Sequence, residues 1–239
     1  MLARPFQRIF GLAAQVGVGT MIFTALLVTV GPAVAGPVDI AGKSIASQGN
    51  GKGAAACESC HGMTGLGNVA AGFPRLAGLD AGYLVRQLND YENGTRSNPV
   101  MSPMAKTLSP QERSAVADYY AALPVPRQAV QPGTEPAALL RGQRIAQEGA
   151  WSKGVPACFQ CHGANGEGIP PHFPAIIDQP GAYIVAQFVA WQNGTRANDP
   201  FGLMKSVATK LDQEEIAAVA AWLASIAPMP VKPVPAKLR

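Results

Sequence analysis

The sequence predicts an all-helical protein built from one unit used twice, and three observations carry that prediction. The chain repeats itself at a spacing of about 100 residues. Within each copy, apolar residues recur at helical spacing between cap and stop signals, and no convincing alternating strand is found. A proline-rich stretch that cannot hold a helix separates the copies.

The repeat is read residue by residue. Cys57-Glu58-Ser59-Cys60-His61 recurs as Cys158-Phe159-Gln160-Cys161-His162, and Phe73-Pro74 as Phe173-Pro174. Tyr83 and Gln87 recur as Tyr183 and Gln187, and Asn93-Gly94-Thr95-Arg96 as Asn193-Gly194-Thr195-Arg196. Met101 and Leu108 recur as Met204 and Leu211 after a short insertion around residues 199–202. Self-similarity of this kind marks a single structural unit repeated. Each unit is about 90 residues, small for a polypeptide core alone, and a large buried cofactor would make up the shortfall.

The helices follow in order. Ile40–Gln48 and Pro136–Gln147 are expected just upstream of the cysteines. Asp80 to Asn93 places Tyr83, Leu84, Gln87, Leu88 and Tyr91 at helical spacing and stops at Gly94; Gln179 to Asn193 matches it and stops at Gly194. Ser109-Pro110-Gln111-Glu112 reads as a capping box with proline in the first turn, and Asp212 and Glu215 do the same before Ile216–Ile226.

The ends have a different character. Arg4 and Arg8 precede an apolar run from Ile9 to Val30, and Ala33-Val34-Ala35 offers a cleavage site, the pattern of a secretion signal. The alternative is an uncleaved membrane anchor, and either way the remainder is exported. No later segment is apolar enough to span a bilayer. The expected organisation is a signal peptide over 1–35, domains over 36–123 and 137–227, a linker over 124–136 and a basic proline-rich tail over 228–239. The net charge of +4 resides in the leader and tail, with no Lys/Arg block between, so nucleic-acid binding has no support.

The four cysteines occur only in the two C-x-x-C-H motifs. Two thiols three residues apart on a helical turn face one side and can each add to a vinyl group of one porphyrin. The adjacent histidine then points at the iron. This is the signature of covalent c-type haem attachment, here twice. Zinc ribbons pair their C-x-x-C motifs at roughly 15–20 residues, a thioredoxin-like pair needs a βαβ context, and a disulfide framework leaves both histidines unexplained.

Only His61, His162 and His172 are present, so two histidines on each of two irons is impossible within one chain. Methionine is the natural sixth ligand, and it raises the potential because a thioether favours ferrous iron. The repeat register selects Met101 and Met204, each seven residues before its leucine; the alternative is that Met104 binds and Met101 packs. A carbonyl at Pro74 or Pro174 can accept from the imidazole Nδ1, or the prolines simply turn the loop. Arg96 and Arg196 can reach haem propionates or be solvated loop charges. His172, facing Gly72 in the repeat, is expected at the surface or a haem edge. Tyr83 and Gln87 with their copies are expected to face the core, and Trp151, Trp191 and Trp222 to pack in the core or on haem.

Together these residues resemble the di-haem cytochrome c4 family, two class I cytochrome c domains in tandem. The resemblance spans roughly residues 40–226 and implies His/Met haems on all-helical domains packed about a pseudo-twofold axis. It implies that Cys57, Cys60, His61 and Met101 hold one haem and Cys158, Cys161, His162 and Met204 the other. It further implies that Pro74 and Pro174 bond the proximal histidines. The function implied is electron transfer in the periplasm among redox proteins, with a quinol-oxidising complex or dehydrogenase as donor and a terminal oxidase as acceptor. Loose or N-terminal membrane association is compatible with it. The competing readings are a dedicated electron-transfer subunit of a dehydrogenase complex and a di-haem peroxidase. The latter needs acid–base groups beside an open iron, for which His172 is the one candidate.

Overall fold

The computed structural model describes residues 37–126 and 135–227; the expected leader, most of the linker and the tail lie outside the described residues. The first half runs α1 (Pro37–Gln48), α2 (Glu58–His61), α3 (Ala81–Asn93), α4 (Met101–Thr107) and α5 (Pro110–Ala122). The second repeats this order as α6 (Pro136–Glu148), α7 (Cys158–His162), α8 (Gly181–Asn193), α9 (Leu203–Lys210) and α10 (Gln213–Ser225), with one 3-10 turn at Trp151–Lys153. No strand forms among the described residues; isolated bridges pin the loops.

The caps explain the boundaries. Asp80 accepts from the Tyr83 N–H at 2.9 Å to start α3, and Gly94 at φ 87° ends it. Ser109 and Glu112 close a reciprocal capping box on α5, as do Asp212 and Glu215 on α10. The helices that carry the C-x-x-C-H motifs and those that begin at Met101 and Leu203 are too short for periodicity to reveal them.

In each half the first helix crosses the last: α1 on α5 and α6 on α10. A glycine makes both crossings possible. A Cβ on Gly42 would lie 2.1 Å from the Ala115 carbonyl oxygen, and one on Gly142 would lie 2.1 Å from that of Ala218. Each half then buries its own cluster, around Tyr83, Leu84, Val116 and Tyr120 in the first and Ile184, Phe188, Trp191 and Val219 in the second. Trp191 is core as expected, and Trp222 packs against Phe159 with centroids 5.6 Å apart. Trp151 is not core: it sits on the 3-10 turn, 63% accessible.

The halves meet along a reciprocal seam. The Ser97 N–H donates to the Thr195 carbonyl and the Ala197 N–H to the Thr95 carbonyl, both at 2.7 Å, around an antiparallel bridge of Arg96 with Arg196. Asn198 adds bonds to Gln87 at 2.9 Å and Asp90 at 2.6 Å.

Candidate functional site

α2 places Cys57 at its N-cap, with Cys60 and His61 in its single turn; α7 begins at Cys158, one position further in, and holds Cys161 and His162 in its turn. Burial pushes the Cys57 and Cys158 thiols up to about 11.

Both imidazoles are buried and oriented by a proline carbonyl. His61 Nδ1 lies 2.9 Å from the Pro74 oxygen and His162 Nδ1 lies 2.8 Å from that of Pro174. A carbonyl can only accept, so Nδ1 carries the proton and Nε2 keeps a free lone pair for a metal. Burial lowers the basicity of both rings, partly offset by these bonds, so they stay neutral. The loops are drawn in by paired glycines: the Gly67 N–H donates to the His61 carbonyl and the Gly168 N–H to that of His162. At φ 83° and 92°, each glycine lies so close to its proline peptide that a Cβ would clash with backbone atoms there.

Facing His61 is a cavity of about 380 Å³. Its walls include both thiol-bearing residues, Leu79, Leu84, Leu108, Met101 and Met104. No carboxylate lines it. The Tyr120 hydroxyl, in a residue that lines this cavity, is buried with no protein partner. An apolar slot with two thiols, one neutral imidazole nitrogen and a thioether fits a covalently attached haem. The second half repeats the donor set, with Cys158 and Met204 packed against its core.

The methionines differ in surroundings. Met101 opens α4, its N–H bonded to Asn98 Oδ1 at 2.9 Å, and Met204 lies in the first turn of α9, its N–H bonded to Asp199 Oδ2 at 2.5 Å. The Met104 sulfur instead accepts from the Ala55 N–H at 3.3 Å.

Arg96 and Arg196 are not solvated loop charges. Both are buried and cross the seam: Arg96 donates to Gln87, Gln187 and Tyr183, and Arg196 to Gln187, Gln87 and Tyr83. Each lies 4.6 Å over a ring of its own half, Tyr91 or Trp191. The Tyr/Gln pairs thus serve the seam as well as the core. His172 is exposed and held by Arg86, at 3.2 Å to its ring and 3.0 Å to its carbonyl, and does not line the cavity beside His61. Sequence reasoning missed the Gly42/Gly142 and Gly67/Gly168 pairs, although both recur in the repeat. It also missed a cluster of Arg75, Asp178 and Gln179, which does not recur.

The family described as Cytochrome c matches residues 46–123 and 139–227. A protein of Thiomonas intermedia (strain K12) named thiosulfate dehydrogenase electron acceptor is 47% identical over 184 residues, 77% of this chain and 84% of that protein. The structure of thiosulfate dehydrogenase (TsdBA) from Marichromatium purpuratum superposes with a TM-score of 0.72 at 39% identity, over 80% of this chain; the chain spans 40% of that protein. Reduced recombinant cytochrome c4 from Pseudomonas stutzeri superposes with a TM-score of 0.68 at 28% identity, over 80% of this chain and 100% of that one.

Proposed function

The chain belongs to the cytochrome c family as a di-haem member of the cytochrome c4 type, and from that premise we propose that it is a periplasmic carrier reduced by a thiosulfate-oxidising dehydrogenase and oxidised by a terminal oxidase. It carries two covalently bound haem c groups and works as an electron carrier with redox-protein partners. Each haem, when bound, supplies a one-electron ferric/ferrous couple.

The chain's own residues do the rest. Cys57 and Cys60 anchor the first haem and Cys158 and Cys161 the second. His61 and His162 present Nε2 to iron, oriented through Nδ1 by Pro74 and Pro174. Met101 and Met204 would supply the thioether ligands; they are equivalent in the repeat and each lies in the first turn of its helix, whereas the Met104 sulfur is engaged by Ala55. The relatives named as electron acceptors and cytochromes c4 favour electron transfer, and no peroxidase chemistry is proposed.

The observation that carries the reading is the donor set gathered on one largely apolar slot: Cys57, Cys60, an imidazole oriented by the Pro74 carbonyl, and Met101. The donor is inferred from the relatives named for thiosulfate dehydrogenase. Two centres on one chain can take up the electron pair that a two-electron oxidation releases. Export rests on the N-terminal pattern; among the described residues no helix is long and apolar enough to cross a membrane.

The test is anaerobic mixing of oxidised holoprotein with thiosulfate and a catalytic amount of thiosulfate dehydrogenase. Both haems are expected to become ferrous, then to be reoxidised by oxidase-containing membranes. Reduction no faster than without the dehydrogenase removes that donor, and inertness toward the membranes removes the acceptor.

A further inference from the structure

Both proximal imidazoles donate to a proline carbonyl, but only one of the two peptide units is also held by a side chain from across the seam. The amide of the Pro74–Arg75 peptide, the Arg75 N–H, donates to Gln179 Oε1 at 3.0 Å, and Gln179 Nε2 returns a bond to the Arg75 carbonyl at 3.0 Å. A backbone N–H requires an acceptor and a backbone carbonyl a donor, so the orientation of the Gln179 amide is determined. Gln179 is buried and belongs to the second half. Its equivalent in the first half is Leu79, whose aliphatic side chain cannot make the reciprocal bond to the Pro174–Ala175 peptide.

Neighbouring residues hold the contact in place. The Arg75 guanidinium, buried at 2% accessibility, donates to the carbonyls of Ala77 at 2.5 Å, Ile177 at 3.1 Å and Asp178 at 3.3 Å. Its Nε also lies 3.4 Å from the Asp178 carboxylate. Asp178 adopts φ 55°, where the first half has Gly78 at φ 67°. A left-handed position suited to glycine is thus occupied by a carboxylate that meets Arg75, at a cost in backbone strain.

We propose that Gln179 is a positioning residue for the iron ligand of the other domain. Accepting from the Arg75 N–H, it polarises the Pro74–Arg75 peptide, strengthens the bond from His61 Nδ1–H, and holds the potential of the haem on Cys57 and Cys60 lower than it would otherwise be. Hydrogen bonds in a chain reinforce one another, and a firmer bond at Nδ1 makes the imidazole a stronger donor to iron, which favours the ferric state. The second haem has no such relay, so domain docking tunes one centre and not its twin. This rests on His61 being an axial ligand, as proposed above.

The experiment compares wild-type holoprotein with Gln179→Met, close in shape but without either polar group, and Gln179→Leu, the side chain the first half carries there. Redox titration resolves the two potentials, assigned to each haem by ferric NMR. The reduced protein reports both histidine Nδ1–H resonances. Expected in either variant is a rise in the first haem's potential with the second unchanged, and an upfield shift of the His61 Nδ1–H resonance alone. Asn198→Ala, which removes the seam bonds to Gln87 and Asp90 and none to the Pro74–Arg75 peptide, is the control for looser docking. Unchanged potentials, a joint shift of both, a fall in the first, or the same shift in Asn198→Ala would each overturn the proposal. A wild-type spectrum without histidine-ligated low-spin iron at the first site would instead sink the ligand reading, before any variant is compared.

Discussion

Arg96 and Arg196, a hundred residues apart in the chain, face each other in an antiparallel bridge with both guanidinium groups buried. Burying two like charges side by side is unfavourable unless their donors are satisfied. Here neutral oxygens of Gln87, Gln187, Tyr83 and Tyr183 accept from them, and the rings of Tyr91 and Trp191 lie beneath. The seam therefore stores stability in hydrogen bonds that neither half can form alone.

Replacing one of these arginines uncouples the halves. Arg196→Met removes charged donors from Gln87, Gln187 and Tyr83 and is expected to cost about 2 kcal/mol. In urea, the variant should lose its first half and its second half in separate transitions, read by haem absorbance and tryptophan fluorescence. A single transition at the wild-type midpoint contradicts this.

The helix crossings are expected to be intolerant of one added methyl. Gly142→Ala drives a Cβ into the Ala218 carbonyl, where α6 and α10 must separate, at a cost of about 2–3 kcal/mol. With the seam intact, the single thermal midpoint should fall by roughly 10 °C. Gly42→Ala should do the same through the α1–α5 crossing.

Optical spectra discriminate between the methionines. Met101→Ala should abolish the sulfur-to-iron band of the first ferric haem and convert that iron to high spin. Met104→Ala should retain the band, because its sulfur is bonded to the Ala55 amide. The opposite result reverses the assignment.

The capping box on α5 predicts a pH dependence. Hydrogen bonding from the Ser109 backbone holds the Glu112 carboxyl below its usual range. A depressed folded-state pKa stabilises above the unfolded value, and the contribution is lost as pH falls through the folded one. The thermal midpoint of wild type should exceed that of Glu112→Gln above a pH of about 5, with the gap closing below about 4. A gap constant across that range would show that the carboxylate charge contributes nothing.

The limits of reading from sequence follow the range of the forces involved. Ser109 with Glu112, Asp212 with Glu215, and the stops at Gly94 and Gly194 were legible because each interaction spans a few residues. The helix α4, of 7 residues, was not, since no periodicity develops over so short a span and a single Asn98 side chain sets its start. Residue type alone suggests core or haem packing for Trp151, but its place on a three-residue 3-10 turn leaves it out of the core.

By itself the sequence determined the attachment chemistry, the twofold repetition and the caps, because covalent spacing and local hydrogen bonds need no knowledge of distant contacts. Only the tertiary structure decided that Arg96 and Arg196 are buried and that Gln179 reaches the peptide beneath His61. Those partnerships depend on which surfaces of the two halves meet. Where the repeat breaks, with Arg75 against Ala175 and Leu79 against Gln179, symmetry could not supply the partner.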